Sequence, residues 1–311
     1  MTEKNDLLIP KLLRKLASRI AKPLIVVPIA SGFRPKRISA MMRVKNEEAF
    51  LRASVESILP LVEELVIIDN NSSDATPLIA RELAAAYPKN ARVCYYPHEI
   101  AKVGSENEAL AATPDGRKSP RLLANYYNWC LRQCRMNFVL KWDGDMVATK
   151  TFAEHLEMFR KSTFVMMGVF GANLHPDRRH LVAASEPIQE QIKNGMDLDQ
   201  TSVLNWTSPY TALEPRLFPR LFSSYRADRW WCEVLYSPWE RWPSLLFDPR
   251  PPDFRFLSKD CGYLHLKYCK PSPYENFSND FAELIKIGVT PGPDLPPGLR
   301  ELAESYQLDR R

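Results

Sequence analysis

Asp143-Gly-Asp145 follows the run Phe138-Val-Leu-Lys-Trp142. Two carboxylates with one glycine between them, just past an apolar strand, form a hard oxygen site. Mg²⁺ and Mn²⁺ favour such ligands and complete their shells with water and phosphate. Asp-x-Asp alone recurs by chance in many chains, so its weight here comes from its companions. Arg43-Val-Lys-Asn-Glu-Glu48 ends one earlier apolar run, and Asp69-Asn-Asn-Ser-Ser-Asp74 ends another. In an open α/β sheet, ligands bind beyond the carboxyl ends of the strands. One polar strand end can be a helix cap; three in succession describe a site. Asp69 can accept from a base N–H or a ribose hydroxyl. Asn71 falls in a tight turn, where asparagine tolerates the left-handed conformation. Asp74 is read as the cap of the helix that follows.

The elements that must hold these residues alternate. Ile38–Val44 reads as a first strand, and a helix over about 47–58 ends at Pro60. Leu65-Val-Ile-Ile68 is a short, β-branched, uncharged run, as a buried parallel strand requires. A second helix spans Asp74 to Tyr87, a third strand Arg92 to Tyr96, and a third helix starts at Ser119-Pro120 and runs to about Arg135. Phe138–Leu140 is the fourth strand. Alternating strands and helices imply a mostly parallel sheet covered on both faces. The last third reads differently: 14 of the 26 prolines lie between Pro209 and Pro297. Long regular elements are not expected there, apart from a closing helix near Leu299–Tyr306.

Charge and composition narrow the function classes. With 45% hydrophobic and 25% charged residues, the 311-residue chain is ordinary globular material. Six cysteines without a Cys-x-x-Cys pair suit reduced, buried thiols, not a disulfide framework or structural zinc. No apolar stretch is long enough to span a membrane, and charged residues interrupt the start where a secretory signal would be. Residues 1–37 carry nine Lys/Arg and two acids, a net +7, against +5 for the whole chain. The body is therefore slightly acidic and poorly suited to a nucleic-acid groove. Within that tail, Ile9, Leu12, Leu13, Leu16 and Ile20 follow helical spacing among basic residues. Residues 1–22 are accordingly read either as an amphipathic helix for an anionic membrane surface or as a helix packed on protein. The expected organisation is this tail (1–37) and one domain (38–311), in a cytoplasmic protein that can sit peripherally on the inner face of the plasma membrane.

Over residues 38–145 the sequence resembles family 2 glycosyltransferases, which have the GT-A fold. Met42-Arg-Val-Lys-Asn-Glu-Glu48 resembles that family's first strand end. Glu64-Leu-Val-Ile-Ile-Asp-Asn-Asn-Ser-Ser-Asp-Ala-Thr76 resembles its second strand and turn. Asn128 and Leu131, ahead of Asp143, resemble its Asn-x-Gly-Leu helix. There are departures: Asn71 stands in place of a glycine, and Tyr127 where an arginine often precedes the asparagine. The resemblance implies a nucleotide-sugar half (38–150) and an acceptor half (151–311). It implies that Arg43, Asn46, Glu47, Asp69, Asn71, Asn128 and Asp143 serve the nucleotide, and that Asp143 and Asp145 hold Mn²⁺ or Mg²⁺. Asp145 is thereby also a catalytic residue, and inversion is the implied stereochemistry.

Farther on the likeness is to lipopolysaccharide-core members. Glu214-Pro-Arg-Leu-Phe-Pro-Arg220 resembles their Pro-Arg-Leu-Phe-Arg segment, and Trp230-Trp-Cys-Glu233 the position of their His-Glu. Glu233 is thus the candidate general base, with Asp228 next; the plainer alternative is a Glu233 paired with arginine. His265, on an alternating Tyr263-Leu-His265-Leu-Lys267 face, is the candidate further metal ligand, as in many GT-A enzymes. The expected partners are a nucleotide-sugar donor and a glycan or lipid-linked acceptor, with no nucleic acid. Two other classes compete. A sugar-phosphate nucleotidyltransferase would need a glycine-rich loop after the first strand, and residues 43–50 contain no glycine. A silent nucleotide-sugar-binding scaffold would not need both aspartates.

Overall fold

The computed structural model describes residues 35–162, 164, 166–194, 207–211, 213–227, 234–236 and 261–308. Its first strand, β1 (Ile38–Val44), lies in the middle of a six-stranded sheet. β2 (Glu64–Asp69) and β3 (Ala91–Tyr95) extend that sheet on one side, and β4 (Phe138–Asp143) on the other, all parallel. β9 (Glu214–Pro219) then pairs antiparallel with β4 and with β6 (Met167–Val169), giving the order β3-β2-β1-β4-β9-β6. The chain turns from one side of β1 to the other between β3 and β4. That reversal opens a crevice at the carboxyl ends of β1 and β4, the usual ligand position in such sheets.

The middles of β1, β2 and β4 are mostly apolar because both faces of the sheet are covered. Alternate residues of β1 go to opposite cores. Ile38, Ala40 and Met42 join Leu65, Ile67, Phe138, Leu140 and Trp142 under α1 (Leu51–Ile58), α2 (Thr76–Ala86) and α5 (Lys150–Lys161). Met41 joins Val66, Ile68 and Val139 under α4 (Leu123–Gln133). The expected fold class, an open, mostly parallel GT-A-like sheet with helices on both faces, is what this arrangement is.

A smaller sheet continues from β4. β5 (Met146–Ala148) pairs antiparallel with β12 (Tyr263–His265), which runs parallel to β7 (Gly171–Asn173). Val147, Leu264 and Ala172 from these strands bury against Leu295, Leu299 and Ala303 at the start and within α8 (Pro297–Ser305). β8 (His180–Ala184) pairs with β13 (Val289–Asp294), and β10 (Ser224–Arg226) with β11 (Val234–Tyr236). The remaining helices are α3 (Ser105–Ala112), α6 (Glu186–Lys193) and α7 (Asn279–Gly288).

Two expectations need correction. The third expected helix begins at Leu123, not at Ser119-Pro120, because Asn107 Oδ1 accepts from Leu123 N at 3.1 Å and anchors the helix start there. The proline-rich last third also holds regular structure. α7 is a ten-residue helix whose Ile285 is buried with Phe277 and Val182, and β9 is a full member of the central sheet. Pro215 and Pro219 sit within or at the end of β9.

Candidate active site

Register brings the strand ends together. Arg43 is paired with Asp143, Val44 with Asp69, and Asp69 with Tyr95. Asp69, at the end of β2, is 3% exposed, and its Oδ1 has no hydrogen-bond partner. A buried carboxylate oxygen left open is costly, so this position suits a ligand N–H or O–H.

The two loops beyond β1 and β2 lock into each other. Asn46 and Asn71 both adopt the left-handed conformation, at φ 54° and 53°. Asn46 Oδ1 accepts from Ser73 N at 2.8 Å, and Ser72 Oγ accepts from Asn46 N at 3.0 Å. Asn46 Nδ2 donates to both carboxylate oxygens of Glu275, at 2.8 and 2.9 Å. Asn71 accepts from the Tyr95 hydroxyl. Asp74 accepts from Thr76 N at 2.9 Å and Glu48 N at 3.1 Å, tying the entry of α2 to the β1 loop.

Asp143 and Asp145 face different partners. Gly144 between them permits this, because a Cβ there would lie 2.8 Å from Val44 Cγ1 and 2.9 Å from Glu47 Cγ. Asp143 accepts from Arg43 and, at 3.4 Å, from Arg216. Burial pushes its carboxyl up to about 7 against the pull of Arg216, with Asp145 and Glu214 adding to the rise. Arg43 stacks on Tyr127 with its guanidinium carbon 3.9 Å from the ring centre. Arg216 also pairs with Glu214 at 3.2 Å, and Glu214 with Lys141 at 3.3 Å. Burial opposes ionisation of Glu214, but Arg216 and Lys141 bring its carboxyl down to about 2.

Asp145, 4% exposed, has Lys270 Nζ 2.7 Å from Oδ2 and His265 Nε2 3.5 Å from Oδ1. Burial works against its charge, yet Lys270 holds it well below the usual carboxylate range. Lys270 Nζ also lies 2.5 Å from Glu47 Oε1, while the buried Glu47 Oε2 has no partner. Burial, with Asp145 alongside, raises the Glu47 carboxyl to about 8 against Lys270. His265 arrives on β12, in register with Met146 on one side and Asn173 on the other. Asn173 Nδ2 donates to Ser208 O at 2.9 Å, which turns Oδ1 toward His265 Nδ1 at 3.0 Å. The Nδ1 nitrogen is therefore the protonated one, and the Nε2 lone pair faces Asp145. Burial lowers the His265 pKa, which keeps the ring neutral. A lone pair and a carboxylate oxygen 3.5 Å apart repel each other unless a proton or cation lies between them.

Among the described residues no three His, Cys, Asp or Glu side chains form a ready metal cage. What the structure offers is a two-ligand corner, Asp145 and His265. The donor set suits a cation that draws its other ligands from phosphate and water. Asp143 is turned away from that corner toward Arg43 and Arg216. Asn128 is spent on the Tyr225 main chain, donating to its carbonyl at 2.7 Å and accepting from its N–H at 2.8 Å. Glu233, Asp228, Trp230 and Trp231 lie outside the described residues, as does the tail up to residue 34. Sequence reasoning missed Lys270, Glu275, Lys141 and Asn173. The signal for Lys270 was there: it lies five residues after His265, in the loop leaving the same strand.

Among solved structures, the chain is similar to TarS of Staphylococcus aureus, residues 1–349, in complex with UDP-GlcNAc. The likeness is 19% identity over 45% of this chain and 34% of that one, with a TM-score of 0.30. It is similar to TarS at 13% identity over 88% and 43%, with a TM-score of 0.40. Glucosyl-3-phosphoglycerate synthase of Mycobacterium tuberculosis, in complex with Mn²⁺, UDP and phosphoglyceric acid, aligns at 16% identity over 63% and 60%, with a TM-score of 0.33. The chain thus spans about a third of the length of the first of these relatives. No curated protein matches the sequence. The segment that contains β1, β2, β3 and the loops bearing Arg43, Asn46, Glu47, Asp69 and Asn71, residues 39–113, matches the family Glycosyl transferase family 2.

Proposed function

We propose that the protein transfers a sugar from a nucleoside-diphosphate sugar to a glycan or lipid-linked acceptor, with inversion, and that a divalent cation assists. The observation that carries this reading is the convergence, at the carboxyl ends of β1, β2 and β4, of unsatisfied acceptors. These are Asp69 Oδ1 and Glu47 Oε2; beside Glu47, Asp145 Oδ1 and His265 Nε2 lie 3.5 Å apart. Asp69 accepts from the base or ribose. Arg43, Asn46, Glu47 and Asn71 frame the nucleotide, and Asp143, steadied by Arg43 and Arg216, faces the ribose side. Asp145 and His265 would hold the cation; when bound, it neutralises charge developing on the diphosphate leaving group. Glu233, from the acceptor half, takes the proton of the attacking hydroxyl. The basic tail, residues 1–22, keeps the enzyme near anionic membrane surfaces where lipid-linked acceptors lie. No helix among the described residues is long and apolar enough to cross a membrane.

The test is calorimetric titration of a panel of nucleoside diphosphates and their sugars, with Mn²⁺ and with EDTA. At least one nucleotide should bind, ten-fold or more weaker in EDTA, and Asp145→Ala should lose that metal-dependent gain. Equal affinity in EDTA removes the cation from the scheme; no binding by any nucleotide removes the scheme itself.

A further inference from the structure

The ammonium of Lys270 already serves Asp145 as a counter-cation. It bridges Glu47 Oε1 at 2.5 Å and Asp145 Oδ2 at 2.7 Å, and its side chain is only 13% exposed. Among the described residues, the ion pairs of Asp145 are with His265 and with Lys270. A divalent ion held by Asp145 and His265 would sit close to this ammonium, and like charges repel strongly in a buried site. Lys270 cannot simply leave, because a buried carboxylate stripped of its partner is heavily penalised. Glu47 is 5% exposed and already has one oxygen without a partner.

We infer that Lys270 is a resident counter-cation that excludes the divalent ion until a diphosphate arrives. Resting on the donor reading above, the scheme runs as an exchange. The diphosphate offers the lysine an anionic partner. The ammonium swings from the carboxylates to a phosphate oxygen, and the ion would take its place as counter-charge to Asp145. Net charge at the carboxylates is then never left uncompensated. Lysine suits this role better than arginine, being a point charge on a flexible four-carbon stem. Metal and nucleotide binding are consequently coupled, and the coupling is reciprocal by thermodynamic linkage.

The experiment is Mn²⁺ binding to the full chain, read from the electron paramagnetic resonance of free Mn²⁺, without nucleotide and with saturating UDP or GDP, tested separately. Wild type should bind Mn²⁺ at least ten-fold more tightly with the nucleotide than without. K270M should bind Mn²⁺ without nucleotide at least ten-fold more tightly than wild type, and the nucleotide should add little further. K270R, which keeps the charge, should stay weak without nucleotide. K270Q, which keeps a donor to Glu47, repeats the measurement should K270M melt early. If K270M and K270Q bind Mn²⁺ no more tightly than wild type while nucleotide still enhances wild-type binding, the counter-cation role is overturned and the metal corner stands. If nucleotide binds but wild type and variants alike take no Mn²⁺, the metal corner itself falls, and the Lys270 role with it.

Discussion

Asn173 fixes the proton of His265. Its Nδ2 is committed to Ser208 O at 2.9 Å, so its Oδ1 faces His265 Nδ1 at 3.0 Å and leaves the Nε2 lone pair toward Asp145. Outer partners of ligating histidines commonly set metal affinity by 10- to 100-fold. Asn173→Leu should therefore weaken nucleotide-supported Mn²⁺ binding by about that factor. Asn173→Asp, which still accepts from Nδ1, should restore most of it. Mn²⁺ titration of the three proteins decides; equal loss in both variants would mean that Asn173 only packs.

Asp69 carries a buried oxygen that the protein does not satisfy. Asp69→Asn removes the buried charge, so the ligand-free protein should melt at the same temperature or higher. Nucleotide affinity should fall roughly 10- to 100-fold, the loss of one hydrogen bond to a charged acceptor, about 1.5–3 kcal/mol. A melt that drops together with unchanged nucleotide affinity would assign Asp69 to folding alone.

Glu233→Gln should lower transfer about 10²- to 10⁴-fold, the usual effect of removing a general base, with little change in donor dissociation constant. Steady-state transfer assays beside donor titration read both quantities. Turnover near wild type in Glu233→Gln, with Asp228→Asn inactive, would move the base to Asp228.

Asp177 ties β8 to the loop before it. Its Oδ1 accepts from Arg179 N at 2.9 Å and His180 N at 3.1 Å, and its Oδ2 pairs with His180 Nδ1 at 2.8 Å. Burial alone would raise its carboxyl, but these bonds bring it from 3.8 down to about 2. A depressed carboxylate pKa stabilises the fold above its unfolded value and stops doing so as pH falls through the folded value. The stabilisation is thus complete above pH ~4 and is lost toward pH ~2. Screened by solvent, it amounts to about 1 kcal/mol. Asp177→Asn should lower the unfolding midpoint in urea at pH 6, and the gap to wild type should narrow steadily below pH ~4. A gap independent of pH would assign the loss to shape, not charge.

Much of the donor half was legible because strand and crevice share one signal. Ile38–Val44 appears in the structure with the bounds read from the sequence, since an uncharged run that stops at Arg43-Val-Lys-Asn46 marks both the buried strand and its polar end. Asn71 was legible for a local reason, the left-handed turn its side chain tolerates. Lys270 and Asn173 were not, because their roles come from β12 lying between β5 and β7, pairings across more than ninety residues that no local pattern announces. The start of α4 was missed for a similar reason: Asn107, sixteen residues upstream, accepts from Leu123 N at the helix start. In the last third, the count of prolines hid the helical spacing of Phe281 and Ile285 in α7.

The insertion of β12 between β5 and β7 has a consequence for synthesis. Asp145 and Asn173 leave the ribosome well before His265 and Lys270, which follow more than ninety residues later. Contacts of such wide sequence separation form slowly, since loop closure must precede the gain from pairing. A nascent chain of 200 residues can therefore hold both aspartates and the central parallel strands, yet lack β9 with Arg216 and β12 with His265. It has the proposed nucleotide cradle without the proposed metal corner. The pairing of Asp145 with His265 thus arrives late, when β12 closes the second sheet.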